Sequence, residues 1–337
     1  MGRFISRAYA LSVLVLASTA CGDSGAPAGT AGGPPIIARF THVAADFTPK
    51  GHAARRFAEL VNERSQGRIE VRVYPSGQLF GDKEEIEALQ ANNVQFIAPS
   101  IGKLIAFDQR FQIGDVPFLF SDNAAETRFW EGETGRALLQ SLEPQGIIGL
   151  TTWPNGMRQI MTRTRSIRTP ADMRGLKIRI PSGGVLVDTL QAFGAGASVI
   201  PFTDTYSALQ QGVVDGTLAT LDNIENEKYA EVLNYLTLAN VNSLSYGVLT
   251  NKVLWDGLPP ELRQMVSEAM EEATTLERKL ASELDAESMA SLKTRIEVTE
   301  LTPQERQMFV EASRKVWTKY EPVFGNELFQ AAQRADQ

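Results

Sequence analysis

Short β-branched segments alternate with amphipathic segments along most of this chain, and this alternation limits the possible fold more than any other feature. Ile36–Val43 and Ile69–Val73 have the composition and apolar alternation of strands, whereas Pro49–Ser65 has apolar residues at helical spacing. A second series begins at the capping sequence Thr169–Asp172 and continues with the strand Leu176–Ile180. Strands that alternate with helices predict an α/β protein with largely parallel sheets.

One amphipathic segment is much longer than the others. Pro259–Arg295 keeps a single apolar stripe, and a helix of that length would span roughly 50 Å at 1.5 Å per residue. The chain has 337 residues, more than one compact core usually uses, so two lobes are expected. We expect the long helix to cross both lobes, and a helix–turn–helix broken near Asp285 is the alternative.

Composition argues against nucleic-acid binding, metal binding and most kinds of catalysis. The formal net charge is −7, whereas phosphate binding needs a basic surface. Cys21 is the only cysteine, and His42 and His52 could not build a zinc site without carboxylate ligands. The sequence contains no G-x-S-x-G elbow, no H-E-x-x-H and no P-loop. We therefore expect a binding protein with no cofactor and no metal, although carboxylates are numerous enough for a two-acid glycosidase.

The first twenty residues have the pattern of a secretory signal. Two arginines precede the short apolar run Ala8–Ala17, and the small residues up to Ala20 suit a cleavage site. The apolar run is too short to span a membrane. We therefore assign residues 1–20 to a signal peptide and expect the protein to work outside the inner membrane, in the periplasm.

Cys21 stands where a bacterial lipobox places the cysteine that receives the lipid. Residues 21–35 are rich in Gly, Ala and Pro, as a flexible tether would be. Ser18 departs from this pattern, because lipoboxes usually have Leu there. We expect a membrane-anchored lipoprotein attached through Cys21, and plain cleavage after Ala20 is the alternative.

Arg179 is an unusual residue because it lies near the carboxyl end of an apolar strand. Arginine binds carboxylates well, because its planar guanidinium donates two parallel hydrogen bonds to the two carboxylate oxygens. Ligands of open α/β sheets bind outside the carboxyl ends of the strands. Arg179 is therefore a candidate carboxylate-binding residue, unless Lys177 and Arg179 simply face water on an alternating strand.

Several stretches, taken in order, extend this interpretation. Together they resemble the solute-binding proteins of tripartite ATP-independent periplasmic (TRAP) transporters, of the dicarboxylate-binding (DctP) type, and the resemblance runs from Thr41 to the last helical region. The stretches that carry it are Tyr74–Gly81, Ala98–Lys103, Asp115–Phe120, Asn155–Gln159, Gly175–Arg179 and Pro201–Gly216.

The resemblance implies a periplasmic-binding-protein-like architecture, in which two α/β lobes face each other across a ligand cleft and a long helix spans both. Lobe I would comprise residues 36–155 and 245–285, and lobe II residues 156–244 and 286–337, with hinges near 155 and 244. The protein would capture a small organic acid and deliver it to the membrane permease subunits of a TRAP transporter.

The resemblance also implies which residues bind the acid. Arg179 matches the arginine that forms the paired salt bridge with the ligand carboxylate. Arg158 matches a second basic residue of the cleft, and Phe202 matches an aromatic residue that packs on the ligand. Other positions that align with cleft-lining residues are Trp153, Asn155, Ser100, Lys103 and Lys50.

One departure from the family pattern concerns ligand size. The family usually continues after Asp-Gly with a Glu-Asn-Pro run, whose Asn also holds the ligand. Here Asp215-Gly216 is followed by Thr217–Asn223, and Ala219 takes the position of that Asn. Because alanine cannot donate a hydrogen bond, we expect a roomier pocket for a larger or partly apolar acid, or for a sugar acid that reaches Asn223.

Three other functions remain open on the sequence. The chain could serve an ATP-driven importer or a receptor, it could be an exported carboxylate-dependent hydrolase, or it could be a structural lipoprotein. The last would not need an arginine in a strand that faces a cleft.

Overall fold

The computed structural model describes residues 34–337. The predicted signal sequence, Cys21 and nearly all of the predicted tether lie outside the described residues. In residues 34–337 the strands are β1 (Ile36–Thr41), β2 (Ile69–Tyr74), β3 (Phe96–Ile97), β4 (Ile147–Thr162), β5 (Lys177–Ile180), β6 (Gly196–Val199), β7 (Gly216–Ala219), β8 (Tyr235–Asn251) and β9 (Glu297–Glu300).

The helices of the same region separate most of these strands. They are α1 (Pro49–Arg64), α2 (Glu85–Gln90), α3 (Asn123–Glu131), α4 (Glu133–Gln140), α5 (Val185–Ala192), α6 (Thr205–Gln210), α7 (Leu221–Asn226), α8 (Lys252–Gly257), α9 (Pro260–Leu292), α10 (Pro303–Phe324) and α11 (Asn326–Ala335). Short 3₁₀ turns include Ile101–Ala106, Gln109–Asp115 and Phe202–Asp204.

The strands form one mixed sheet in the order β2-β1-β3-β8-β4-β7-β5-β6, with β9 beside β8. β1 pairs in parallel with β2 and β3, and β5 pairs in parallel with β6 and β7. β4 and β8 run antiparallel to each other, and they also pair antiparallel with β7 and β3 respectively. The prediction of an α/β fold is confirmed. The expectation of largely parallel pairing holds for the outer parts of the sheet, but two long antiparallel strands occupy its centre.

These two long strands connect the two halves of the sheet. β4 has 16 residues and β8 has 17, so each spans roughly 50 Å at about 3.3 Å per residue. Their pairing shifts register in three places, one of them between Pro154 and Gly156. A β-bulge of this kind bends and twists a strand locally. The β4–β8 ribbon therefore changes direction where it passes from one half of the sheet to the other.

The apolar core consists of several clusters, and two of them lie in opposite halves of the sheet, which form two lobes. In the first lobe, Phe40 of β1, Phe57 of α1 and Phe96 of β3 pack together, with ring centroids 5.0–6.1 Å apart. In the second lobe, buried residues of β5 and α5 form a separate cluster with Phe309 of α10. The two-lobed α/β architecture expected from the sequence is confirmed.

The long amphipathic segment is one continuous helix, α9, of 33 residues. Near its beginning, Leu262 and Val266 belong to the core of the first lobe, together with residues of α1. At its end, Leu292 packs with Leu236 of β8 in the second lobe. The helix therefore spans both lobes, and the alternative of a break near Asp285 is excluded. Among residues 34–337, no helix combines the length and apolar character required to cross a bilayer.

Local signals in the sequence fix several helix ends. The Thr48 hydroxyl accepts a hydrogen bond from the Gly51 N–H, 3.2 Å away, at the start of α1. A capping box precedes α10, where Thr302 and Glu305 bond to each other's backbone N–H. The capping box at Thr169–Asp172 also forms, but it opens a single 3₁₀ turn, Pro170–Met173.

Candidate functional site

A cavity lies between the two lobes, where the carboxyl ends of β5 and β7 face α1, α2 and the β4–β8 ribbon. Its empty volume is about 490 Å³, including the part open to solvent. The cavity is lined by Val43, Lys50, Asp82, Glu85, Ser100, Lys103, Arg158, Arg179, Pro181, Phe202, Leu218, Ala219, Asn223, Leu244 and Tyr246.

Arg179 is the basic residue that β5 contributes to the cavity. The strand lies inside the sheet between β6 and β7, and Arg179 is only 4% exposed. Its Nε donates a hydrogen bond to the Ile200 carbonyl at 3.0 Å, which fixes the plane of the guanidinium. Within residues 34–337, its Nη2 is buried without a hydrogen-bond partner. Burial lowers the pKa of the guanidinium. Arg179 is thus an oriented, unsatisfied donor at the cavity wall.

Arg158 is a second buried cation, but it already has a partner. Its Nη1 lies 2.9 Å from Oδ1 of Asp115 and donates to the Ser243 carbonyl at 2.8 Å. Asp115 approaches closely because position 102 is a glycine, since a Cβ there would lie 2.4 Å from Asp115 Oδ2. Burial raises the pKa of Asp115, while Arg158 acts in the opposite direction. The pair holds Arg158 in one orientation at the back of the cavity.

The first lobe contributes two lysines. Lys50 is 2% exposed, donates to the Ala98 carbonyl at 3.2 Å and lies 3.4 Å from the centre of the Tyr246 ring. Burial lowers the pKa of Lys50 to about 8. Lys103 forms a salt bridge with Asp82, and burial also lowers the pKa of Lys103. Both ammonium groups are therefore held at the cavity by fixed partners.

Asp82 also joins the two lobes across the cavity. Its Oδ2 accepts a hydrogen bond from the Phe202 N–H at 3.0 Å. Burial acts against the ionised form of Asp82, but Lys103 and the Phe202 N–H outweigh burial and lower the pKa of the carboxyl. Because Asp82 lies in the first lobe and Phe202 in the second, this contact is made only when the lobes are close together.

The charges that line the cavity are unequal. Four cationic side chains face two acidic ones, Asp82 and Glu85. An excess of positive charge in a mostly desolvated cavity favours an anion, because electrostatic interactions are weakly screened there. The geometry therefore suits a small acid whose carboxylate meets Arg179.

Eight of the ten residues expected from the sequence line this cavity: Arg179, Arg158, Phe202, Ser100, Lys103, Lys50, Ala219 and Asn223. The other two lie outside its lining. Trp153 is fully buried in the first-lobe core, where it stacks on Phe40 and its Nε1 donates to Thr274 Oγ1 at 2.9 Å. Asn155 accepts a hydrogen bond from the Thr220 hydroxyl at 2.6 Å and donates to Asp222. Asn155 therefore connects β4, at the place where the β4–β8 ribbon passes between the lobes, to the beginning of α7.

Sequence reasoning missed Asp82, Glu85 and Tyr246. A signal for Glu85 was available, because it shares the buried face of α2 with Ala88 and Leu89. An acidic residue on an apolar helix face is unusual, since buried carboxylates need partners. Tyr246 stands within a continuously buried strand, and nothing in its neighbours along the chain distinguishes it.

A comparison with protein-family models identifies residues 40–322 as a match to DctP, described as bacterial extracellular solute-binding protein, family 7. The chain belongs to this family. The resemblance drawn from the motifs is therefore confirmed. Members of the DctP family are binding proteins, so the expectation that the chain is not an enzyme has positive support, and the family places the protein outside the cytoplasm.

Individual relatives are similar over most of their length. The chain is 39% identical over 304 residues to the C4-dicarboxylate-binding periplasmic protein DctP of Rhodobacter capsulatus, covering 89% of this chain and 91% of that one. A TRAP periplasmic solute-binding protein from Shewanella oneidensis with bound succinate has a TM-score of 0.88 and 38% identity, covering 90% and 100%. The sugar-acid-binding protein DctPAm from Advenella mimigardefordensis, in complex with galactonate, has a TM-score of 0.86 and 29% identity, covering 89% and 99%.

Proposed function

We propose that this protein captures a small organic acid in the cavity between its lobes and delivers it to the permease subunits of a TRAP transporter. Arg179 receives the carboxylate. The observation that carries this proposal is the buried guanidinium, whose Nη2 has no partner in the described residues and lines the cavity. A buried donor without a partner costs free energy that a carboxylate would recover.

The cavity also carries basic side chains that support recognition of a second polar group. Lys50 and Lys103 line it from the first lobe, whereas Arg179 lines it from the second. An acid bound to Arg179 would thus present its other end to two ammonium groups. This arrangement favours a dicarboxylate such as succinate, the ligand bound to the Shewanella oneidensis relative.

The wall formed by Ala219 and Asn223 supports the alternative of a bulkier acid. Both residues line the cavity, and the Ala219 side chain is a single methyl group. A sugar acid could use the Asn223 amide for one of its hydroxyl groups. Galactonate, bound to the Advenella mimigardefordensis relative, is of this kind.

Ligand binding would favour closure of the lobes about the β4–β8 ribbon. We place the lobe limits on this ribbon at Asn155/Gly156 and Leu244/Ser245, the limits expected from the sequence. They are supported by the register shift between Pro154 and Gly156, which lies opposite Leu244 and Ser245. A ligand shifts such an equilibrium only through contacts that differ between open and closed states. Groups from both lobes line the cavity, so an acid bridging them would stabilise the closed state.

A thermal-shift panel tests the proposed function. Residues 22–337 would be denatured and refolded to remove any retained ligand, then heated with succinate, L-malate, galactonate or galacturonate. Binding should raise the melting temperature in line with the stabilisation RT ln(1 + [L]/Kd). A folded protein that shows no shift with any carboxylate would contradict the proposal.

The Ala219→Asn variant separates the two ligand classes. The added amide narrows the cavity and supplies a hydrogen-bond donor, so the ratio of succinate to galactonate affinity should rise by about tenfold, or ~1.4 kcal/mol. Calorimetric titration of both acids measures this ratio. Ala219→Leu is the matched control, because its side chain has the same number and branching of heavy atoms as Asn but no donor, and it should weaken both acids. An unchanged ratio in Ala219→Asn would rule out Ala219 as the determinant of ligand size.

We also propose that Cys21 carries a lipid that anchors the exported protein, as the lipobox-like sequence suggests. Growth of a bacterial host with radiolabelled palmitate should label the wild-type protein but not Cys21→Ser, which should fractionate as a soluble protein. A wild-type protein that is unlabelled and freely soluble would instead support plain cleavage after Ala20.

A further inference from the structure

Glu85 is a second unsatisfied group at the cavity, of opposite charge to Arg179. It is the first residue of α2, it is fully buried, and it lines the cavity. Within the described part of the chain, neither of its carboxyl oxygens has a hydrogen-bond partner. An ionised carboxylate in this position lacks the hydrogen bonds that usually compensate for lost hydration.

The charged groups around Glu85 come from three segments. Lys50 of α1 and Lys103 of the Ile101–Ala106 turn favour its ionised form, whereas Asp82 and Glu84, from its own segment, oppose that form. Lys103 already forms a salt bridge with Asp82, and Lys50 also interacts with the buried acids Asp222 and Glu277. The positive charge near Glu85 is therefore shared with other acids.

Burial has a clear effect on the titration of this group. It raises the pKa of Glu85 to about 7, despite Lys50 and Lys103. Near neutral pH the ligand-free protein would then hold Glu85 partly as a carboxylic acid. A ligand anion adds negative charge and displaces water from the cavity, and both changes disfavour ionised Glu85. A protonated Glu85 could instead donate a hydrogen bond to an oxygen of the ligand.

We propose that Glu85 is a ligand-binding residue that takes up a proton from solvent when an organic acid enters the cavity. This inference rests on the proposed function and assigns the same cavity a further determinant of binding. In the bound state the Glu85 carboxyl is neutral and donates a hydrogen bond to the end of the acid remote from Arg179. The two lysines are then left to pair with the ligand.

Proton uptake makes affinity depend on pH with a definite sign. The pKa of Glu85 is higher in the bound protein than in the free protein, so binding is strongest at low pH and weakens as pH rises above about 7. The dissociation constant should increase by up to about tenfold per pH unit in this range, and the number of protons taken up should rise towards one as pH rises.

Calorimetry with the exported protein measures this uptake directly. The acid that binds most tightly among succinate, L-malate, galactonate and galacturonate is titrated between pH 6 and pH 9. Buffers with different ionisation enthalpies are used at each pH, because the slope of binding enthalpy against buffer enthalpy gives the number of protons taken up.

Two matched variants locate the proton. Glu85→Gln resembles the neutral acid in shape and still offers a donor, so it should bind the acid with no proton uptake and with nearly constant affinity from pH 7 to pH 9. Glu87→Gln removes the same charge from an exposed residue of α2 and should retain the wild-type uptake. Circular dichroism confirms that both variants are folded.

Each result has a distinct meaning. If the wild-type protein binds none of the four acids, the proposed function fails, and this inference fails with it. Binding without proton uptake at pH 8 leaves the function intact and overturns the role of Glu85. Proton uptake that persists in Glu85→Gln also overturns the role of Glu85. It would point to Lys50, because the lowered pKa of Lys50 would also rise beside an anion.

Discussion

Arg179→Lys is expected to weaken binding of the organic acid by well over tenfold, although it preserves the positive charge. Lysine has an ammonium group in place of the planar guanidinium, so it cannot donate two parallel hydrogen bonds to a carboxylate. It also cannot donate simultaneously to the Ile200 carbonyl, as Arg179 Nε does at 3.0 Å, and reach the ligand. Arg179→Ala removes the charge as well, and a loss of about 3 kcal/mol corresponds to more than 100-fold in affinity.

Calorimetric titration with the acid that gives the largest thermal shift measures both losses. Lys177→Ala is the matched control, because Lys177 lies on the same strand but is exposed at the end away from the cavity. It should bind as tightly as the wild-type protein. Unchanged affinity in a folded Arg179→Lys variant would show that the carboxylate binds elsewhere.

Asp115→Ala should destabilise the protein strongly, even though Asp115 is not expected to touch the ligand. Asp115 is 4% exposed and Arg158 is 1% exposed. Removing one partner of such a buried ion pair leaves the other charge uncompensated, which costs about 3–5 kcal/mol. Urea denaturation followed by circular dichroism measures this loss. Glu59→Ala breaks an exposed pair with Arg56 and should change the free energy of unfolding by less than about 1 kcal/mol.

A double variant separates the structural and binding roles of this pair. Asp115→Leu combined with Arg158→Met replaces the buried charges with apolar groups, which is often neutral or stabilising. We expect it to recover most of the stability lost in Asp115→Ala and to bind the acid more weakly than wild type. A stability change below 1 kcal/mol in Asp115→Ala would mean that Arg158 finds another partner or water.

The fold was predictable where a signal is local. The stripe of Pro259–Arg295 predicted a long helix, and α9 covers Pro260–Leu292. Thr302 and Glu305 form a capping box at the beginning of α10, and the residue types of such a box can be read from the sequence alone. The direction of strands was not predictable in the same way, because β4 and β8 pair residues that are up to about one hundred positions apart, as Ile147 and Asn251 do.

The site was predictable only in part, for a related reason. Arg179 stands out because a cation in an apolar strand is locally unusual. The resemblance of motifs supplied most of the other positions, but alignment to a cleft does not say which way a side chain points. Trp153 and Asn155 follow each other closely on β4, yet one packs into the first-lobe core and the other bonds to Thr220. Asp82 contacts Phe202 across 120 positions of sequence, which no local pattern reveals.

The continuous helix α9 has a consequence for how the molecule unfolds. Its apolar face covers part of the first-lobe core through Leu262 and Val266, and its last turn covers part of the second through Leu292. If either lobe melted alone, the helix would lose the packing at that end, and a short detached helical stretch is marginal in water. The free energies of the two lobes are therefore coupled through a shared element. The molecule should denature as a single cooperative unit, even with the lobe closure that we propose for ligand binding.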